Sequence, residues 1–123
     1  MRANFPKLSL RPLKENDIKD WEIIERESFE QPWSIETLYY SMESPGTQVR
    51  VLEWTVDSTF RESSVQLLLG YMVYQMLPEI ICLNSMAVIP EARRGRYGSL
   101  MVNKLQTMLH IDSRNEIVGF VKE

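Results

Sequence analysis

The sequence predicts a mixed α/β fold, a twisted and mostly antiparallel sheet flanked by helices, and three observations support this prediction. Apolar runs at 48–55, 65–76 and 80–88 are separated by turn residues, as in consecutive strands. Apolar residues recur at helical spacing within 18–24 and 35–42, which is typical of helices that cover one face of a sheet. A third helical stripe follows a basic turn in the last third of the chain.

The first strand and the first helix are predicted from alternation and capping. Leu8 and Leu10 alternate with polar residues ahead of Pro12, which indicates a short strand. Asn16 or Asp17 is expected to cap the first helix, because either side chain accepts hydrogen bonds from free backbone N–H groups. The apolar face of this helix carries Ile18, Trp21 and Ile24.

A second helix is predicted after segment 31–33, where Pro32 interrupts the first one. Ser34 is the expected N-cap, and Glu36 in the first turn favours the helix dipole. The turn at 45–46 ends this helix. Its apolar face is predicted to carry Ile35, Leu38, Tyr39 and Met42.

The remaining elements follow in a simple order. Strands are predicted at 48–55, 65–76 and 80–88, with a polar hairpin loop at 57–64 and a turn at 77–79, so that the last strand returns antiparallel. A helix then starts near Gly98, and a fifth strand is predicted at 117–121. The apolar stripe of that helix is Leu100, Met101, Leu105, Met108 and Leu109.

Composition limits the classes of function. The length of 123 residues fits one compact domain, residues 1–123, and the net charge of −3 does not favour nonspecific nucleic-acid binding. The N-terminus lacks a long apolar run, so neither a membrane span nor a signal peptide is expected, and a cytoplasmic protein is the default. The single cysteine, Cys82, lies in a predicted strand and is expected to be a buried thiol. No metal is expected.

Three of the fourteen basic residues lie within four positions, in the turn Arg93-Arg94-Gly95-Arg96. Tyr97, Gly98 and Ser99 follow and open the predicted helix. The first turn of a helix offers unpaired N–H groups and a partial positive charge, and arginines add forked donors that match phosphate oxygens. This arrangement favours a site for a phosphorylated ligand. The alternative is a solvated basic turn.

The residues around this turn, L-N-S-M-A-V-I-P-E-A followed by R-R-G-R-Y-G, resemble the acetyl-CoA motif of the GNAT acetyltransferase superfamily. In that motif a strand ends in V-x-P, and [QR]-x-x-G-x-[GA] leads into a helix. Arg93 matches the opening position and Gly98 the closing one, whereas Arg96 stands where the family usually has glycine and Gly95 lies one place early. The resemblance implies acetyl-CoA as co-substrate.

Within this resemblance, each part of the cofactor has expected contacts. Pantetheine lies between the splayed fourth and fifth strands and bonds to fourth-strand backbone, which falls on Met86 and Val88. The segment 93–99 faces the pyrophosphate. The reaction implied is direct attack of an amine on the thioester, which needs proximity, an oxyanion donor and a route for the amine proton.

The N-terminal third is similar to the ribosomal-protein N-terminal alanine acetyltransferase branch of this superfamily. The shared pattern is L-R-P at 10–12, Asp17, I-E at 24–25 and S-F-E-Q-P-W-S at 28–34. It implies that a protein α-amine is the acceptor and that Phe29 and Trp33 border the acceptor groove. The alternative for these two aromatic residues is core packing.

Catalytic residues are not identified by the resemblance. The branch has a carboxylate where this chain has Phe120, and its helix with a tyrosine acid would follow Glu123. Glu79, Asn84 and Ser85 lie near the fourth strand and are candidates for holding a water, with strand-edge solvation as the alternative. His110 is expected to be a favourable charge at a helix end rather than a base.

Three functions therefore remain open from the sequence. The favoured one is an N-acetyltransferase, and the rivals are a noncatalytic acyl-CoA-binding pseudoenzyme and a small-molecule amine acetyltransferase. The family's last helix and last two strands have no counterpart before Glu123. Either the chain is a fragment of a longer protein, or a partner chain, a homodimer among the possibilities, completes the sheet.

Overall fold

A computed structural model describes residues 7–57, 64–111 and 116–119. The strands are β1 (Lys7–Pro12), β2 (Thr47–Asp57), β3 (Ser64–Met76), β4 (Ile80–Val88) and β5 (Glu116–Gly119). The helices are α1 (Ile18–Ser28), α2 (Ile35–Glu43) and α3 (Tyr97–Ile111). Short 3-10 turns at Glu15–Asp17 and Pro90–Gly95 precede α1 and α3.

The described strands form one mixed sheet in the order β1-β2-β3-β4-β5. Neighbours from β1 to β4 are antiparallel, and β5 pairs in parallel with β4 from Ile80 opposite Glu116 to Leu83 opposite Gly119. The predicted α/β fold with a mostly antiparallel sheet is confirmed. The predicted bounds of β4 are those of the structure.

A β-bulge interrupts the pairing of β3 with β4. Tyr74 lies opposite Leu83 and Val73 opposite Ser85, which leaves Asn84 as the extra residue on β4. Side chains along a strand alternate between the two faces, so an extra residue reverses the alternation. Leu83 therefore packs toward α3, while Ser85 lies on the opposite face.

Two apolar clusters, one on each face of the sheet, hold the helices in place. The first core lies under α1 and α2 and consists of Trp21, Ile24, Leu38, Val49, Val51, Leu68, Tyr71, Val73 and Ala87. The second core lies under α3 and consists of Leu52, Leu69, Met72, Tyr74, Ile81, Leu83, Met101 and Leu105. Burial of these side chains supplies the main driving force for folding.

The expected cap of α2 is confirmed, and Asp17 is the N-cap residue of α1 as expected, but its side chain forms no capping hydrogen bond there. The Ser34 hydroxyl accepts the Thr37 N–H at 3.2 Å. Asp17 precedes α1, but its carboxylate turns back and accepts the Lys14 N–H at 2.7 Å together with the guanidinium of Arg11. An arginine within reach is a stronger donor than a free helical N–H, which explains the difference.

Two residues expected on apolar helix faces are exposed. Tyr39 is 45% exposed and Leu100 is 40% exposed. Tyr39 directly follows the buried Leu38, and Leu100 directly precedes the buried Met101. One step along a helix turns a side chain by about 100°, which points Tyr39 and Leu100 away from the core. Cys82, expected to be buried, is half-buried in β4, where its thiol faces the Asn84 side-chain oxygen at 3.3 Å.

Several sequence predictions fall outside the described residues. These are the centre of the hairpin loop at 58–63, the end of the fifth strand at 120–121, the role of Phe120, and the two residues that follow the strand. The side chain of His110 is outside the description as well. The first and last residues of the predicted hairpin loop, Asp57 and Ser64, instead belong to β2 and β3.

A three-residue ion cluster fastens β1 to its neighbours. The Arg11 guanidinium donates to both oxygens of Asp17, at 2.7 and 3.0 Å, and to Glu53 at 2.8 Å. These hydrogen bonds hold the pKa of the Asp17 carboxyl and the pKa of the Glu53 carboxyl below their usual range. The same partners raise the pKa of Arg11, so the cluster is fully charged at neutral pH.

We expect Arg11→Met to lower the free energy of unfolding by about 2–3 kcal/mol, because two partly buried carboxylates would lose their counterion. Urea denaturation measures this change. Arg26→Met is the matched control, since the Arg26–Glu22 pair at 3.2 Å is exposed and worth a few tenths of a kcal/mol. Equal destabilisation by the two substitutions would contradict the assignment.

The same cluster predicts a pH dependence. Since the folded pKa values of Asp17 and Glu53 lie below the unfolded ones, their contribution to stability is fully present above about pH 5 and is lost as the pH falls through the folded values. Denaturation at pH 6 and pH 3 should show a smaller loss of stability for Arg11→Met than for the parent protein. A parent-like loss in the variant would show that other carboxyls dominate.

Candidate functional site

The outer edge of β4, on the side away from β3, carries outward-pointing backbone groups near its C-terminal end. The Ile89 N–H donates to the Leu69 carbonyl of β3 at 2.8 Å. Backbone groups in an antiparallel pair alternate in direction, so those of Met86 and Val88 point to the opposite edge. The Val88 carbonyl bears this out, because it accepts the Arg93 Nε–H at 3.1 Å.

This edge is not covered by β5 in the described part of the chain. β5 pairs with β4 between Ile80 and Leu83, before the bulge at Asn84. Beyond the bulge, the described residues provide no strand that pairs with Met86 or Val88 on this side. Apart from the Val88 carbonyl, which Arg93 binds, the peptide groups expected to bind pantetheine have no strand partner on this side among the described residues.

A groove of about 430 Å³ runs between this edge and the start of α3. Its lining residues are Met86, Gly98, Ser99, Val102 and Asn103. Two of the residues expected to contact the cofactor from the helix side, Gly98 and Ser99, thus face Met86 of β4. The structure brings both halves of the predicted site together.

Unpaired backbone donors point out of the first turn of α3. The first helical hydrogen bond there runs from the Leu100 N–H to the Arg96 carbonyl at 3.1 Å. The N–H groups of Tyr97, Gly98 and Ser99 precede that bond and have no intrahelical acceptor. Together with the helix dipole they form a positive end that favours an anion.

Gly98 keeps the groove open. A Cβ atom at this position would lie 3.7 Å from the Cε atom of Met86, in the space between helix and strand. Gly95 has a different role, because a Cβ there would overlap the ring of Tyr97. Arg96, and not Gly95, adopts the left-handed conformation, with φ of +62°. Arg96 therefore occupies the conformation for which glycine is the ordinary residue.

The three arginines of the turn are arranged differently. Arg93 lies along the end of β4, where it donates to the Val88 carbonyl and, at 3.4 Å, to the Ser28 hydroxyl of α1. Arg94 and Arg96 are exposed and form no ion pair within the described ranges. Arg93 thus braces the turn, and the other two guanidinium groups are available to a bound anion.

A buried polar chain lies on the opposite face of the sheet. The Glu25 carboxylate of α1 accepts the Trp33 N–H at 2.8 Å and the hydroxyl of Tyr71. The Tyr71 hydroxyl also lies 3.3 Å from the Ser85 hydroxyl. Burial, and the neighbouring Glu25, raise the pKa of Tyr71, which therefore stays protonated.

Of these residues, the sequence singles out only Ser85, as a candidate for holding a water. Tyr71 lies within a predicted strand, and Glu25 lies within the pattern shared with the N-terminal alanine acetyltransferase branch. The available signal was position, because Glu25 follows Trp21 by four residues and so lies on the buried face of α1. A carboxylate on a buried helix face requires a donor, which the sequence does not reveal.

The aromatic residues expected at the acceptor groove lie between α1 and α2. Phe29 and Trp33 are half-buried and pack against the first core. The side chain of each therefore contributes to packing, and the remaining exposed part belongs to the surface of the segment 29–34.

The three candidates for holding a water are not all close together. Glu79 lies in the exposed turn between β3 and β4, and Asn84 is the bulge residue. Ser85 is only 2% exposed. Ser85 is six residue steps of extended chain from Glu79, a span of about 20 Å, so these two side chains cannot bind one water.

The described residues contain no group of three His, Cys, Asp or Glu side chains that could hold a metal ion. Among the described helices, none combines the length and the apolar character that crossing a membrane requires.

No protein-family model and no curated protein matches this sequence. Solved structures do match it. Ribosomal-protein-S18-alanine N-acetyltransferase from Escherichia coli is 18% identical with a TM-score of 0.59, and the match covers 85% of this chain and 59% of that one. Ribosomal-protein-alanine N-acetyltransferase from Brucella melitensis biovar Abortus 2308 is 12% identical with a TM-score of 0.66, covering 97% of this chain and 82% of that one.

An aminoglycoside N-acetyltransferase solved in complex with CoA is similar as well. It is 9% identical with a TM-score of 0.67, and the match covers 97% of this chain and 78% of that one. The chain spans about three fifths of the length of the Escherichia coli enzyme. Its described architecture is the GNAT acetyltransferase fold that the basic turn and its flanks predicted.

Proposed function

We propose that this protein is an N-acetyltransferase that moves an acetyl group from acetyl-CoA to an amine. The observation that carries this proposal is the outer edge of β4 at Met86 and Val88, which no described strand pairs with and which lies beside the N-terminal end of α3. A strand edge offers amide groups for an extended, amide-containing arm, and a helix N-terminus offers donors for a pyrophosphate. The aminoglycoside enzyme solved with CoA, which has the same fold, supports this ligand.

Each part of the proposed ligand has a partner of matching chemistry. The pyrophosphate would accept hydrogen bonds from the N–H groups of Tyr97, Gly98 and Ser99 and from the guanidinium groups of Arg94 and Arg96. The amides of pantetheine would pair with the edge groups of β4, which lie across the groove from Gly98. These residues match the ligand without any metal ion.

The proposed chemistry is direct transfer. The amine nitrogen attacks the thioester carbon, the C–N bond forms, the C–S bond breaks, and CoA leaves as a thiolate. The amine loses one proton, and the thiolate gains one. Backbone N–H groups on the edge of β4 are suited to stabilise the oxyanion, because such donors need no reorganisation during the reaction. Holding both reactants in place supplies a large further part of the acceleration.

We propose a protein N-terminal α-amine as the acceptor. Two of the similar solved structures are ribosomal-protein alanine N-acetyltransferases, and the pattern at 28–34 is similar to that branch. Physical chemistry supports the same choice. At pH 7.4 roughly a fifth of an α-amine is neutral, whereas only about a thousandth of a lysine amine is. A site with limited means of deprotonation therefore favours the α-amine.

A small-molecule amine is the second candidate acceptor. The observation that favours it is the aminoglycoside N-acetyltransferase, whose TM-score of 0.67 is as high as those of the protein-modifying enzymes. Binding of acetyl-CoA without transfer to any amine would instead assign the protein as a noncatalytic acyl-CoA-binding module.

Gly98→Val should weaken acetyl-CoA binding by more than tenfold, because the added side chain fills the groove opposite Met86 and blocks approach to the helical N–H groups. Isothermal titration calorimetry measures the change. Gln106→Val, an exposed position of the same helix, controls for the lower helix propensity of valine. Parent-like affinity of Gly98→Val would remove the proposed site.

Peptides should discriminate between acceptors. A peptide with a free N-terminus and no lysine should be acetylated, and one with a blocked N-terminus and an internal lysine should react at least tenfold more slowly, because of the difference in amine pKa. Release of free CoA thiol measures both rates, and an aminoglycoside tests the second candidate. A faster reaction with the blocked, lysine-containing peptide would overturn the α-amine assignment.

A further inference from the structure

Glu25 has a polar side chain in an apolar environment. It is 0% exposed and lies on α1 among residues of the first core. Removing a carboxylate from water is costly unless its oxygens receive hydrogen bonds. Both oxygens do receive them, one from the Trp33 N–H and the other from the Tyr71 hydroxyl. These two hydrogen bonds tie Glu25 to two other elements of the fold.

Glu25 closes the segment between the first two helices into a loop. Its backbone carbonyl accepts the Phe29 N–H at 3.2 Å, at the start of the segment. Its side chain accepts the Trp33 N–H at 2.8 Å, near the end of the segment. Both ends of this five-residue stretch are thereby bound to one residue of α1.

The same side chain joins this loop to the sheet. Tyr71 of β3 donates to Glu25 and lies 3.3 Å from the Ser85 hydroxyl. Ser85 follows the bulge residue Asn84 and precedes Met86, whose backbone faces the groove. The ring of Trp21 packs against Tyr71 with centroids 5.9 Å apart, which fixes the tyrosine laterally. A continuous chain thus runs from the loop to the edge of β4.

We propose that Glu25 is a positioning residue that holds the acceptor-side loop, 29–33, in register with the thioester-binding edge of β4. This inference rests on the proposed function, since it assumes that the loop borders the acceptor. The loop lies between α1 and α2, and the edge belongs to β4, which is far from the loop in the sequence. The backbone alone therefore does not set the distance between them. The chain of hydrogen bonds through Glu25, Tyr71 and Ser85 sets it.

Steady-state kinetics of two conservative variants tests the proposal. Glu25→Gln keeps the size of the side chain but replaces one of its two acceptor oxygens with an NH2 group, so it cannot accept both hydrogen bonds. Tyr71→Phe removes the hydroxyl between Glu25 and Ser85 but leaves the hydrogen bond from the Trp33 N–H to Glu25. We expect KM for a peptide acceptor to rise at least tenfold in Glu25→Gln and less in Tyr71→Phe. Affinity for acetyl-CoA, measured by calorimetry, should stay within twofold of the parent in both.

Glu27→Gln is the matched control, since it makes the same change at an exposed position of α1. A second readout does not depend on turnover. In Glu25→Gln, amide exchange of Trp33 followed by nuclear magnetic resonance should accelerate at least tenfold, with the amide of Leu38 in α2 unchanged. Circular dichroism confirms that each variant is folded.

The outcomes separate the two proposals. If the parent binds acetyl-CoA and transfers the acetyl group, but Glu25→Gln keeps the parent KM and the parent exchange rate at Trp33, the positioning role is overturned and the function stands. If Glu25→Gln and Tyr71→Phe weaken acetyl-CoA binding as much as acceptor binding, Glu25 stabilises the fold as a whole, and the positioning proposal is overturned. If the parent transfers no acetyl group to any amine, the proposed function fails and the positioning proposal falls with it.

Discussion

The bulge at Asn84 is the constraint on which the candidate site depends. Residues two positions apart on a strand normally lie on the same face of the sheet. Because the bulge adds one residue to β4, Leu83 lies in the second core whereas Ser85 faces the first. The bulge also lies where the described pairing with β5 ends. Past this point one edge of the strand is bound to β3, and none of the described strands pairs with the other edge, which is the geometry that an extended amide-containing ligand needs.

In the proposed reaction, each face of the sheet contributes to a different binding region. The face under α3 carries the groove, the helix N-terminus and the arginines Arg94 and Arg96, all of which suit an anionic cofactor. The face under α1 carries the buried chain from Glu25 to Ser85 and the loop beside it. Because β4 separates the two regions, the proposed acceptor and cofactor would meet at this strand.

Electrostatics in this protein acts locally. The chain has a net charge of −3, yet three arginines gather at one turn, and one of them, Arg93, is used to brace the turn against Val88 and Ser28. Elsewhere charges are paired within the fold, as in the cluster of Arg11, Asp17 and Glu53. An anion would therefore be attracted to the start of α3 by nearby donors and not by the overall field.

The sequence by itself determined the order of the elements, the bounds of β4, the Ser34 cap and the basic turn before α3, because periodicity, capping and turn chemistry act over a few neighbouring residues. Only the tertiary structure decided the partners of groups far apart in the chain. The Asn84 bulge depends on how β4 pairs with β3, and the carboxylate of Glu25 depends on Tyr71, which is 46 residues away. The Asp17 side chain binds Arg11 and not the N–H groups at the start of α1, and Arg96 adopts a conformation expected of glycine. Contacts formed on folding outweigh local preference at such positions.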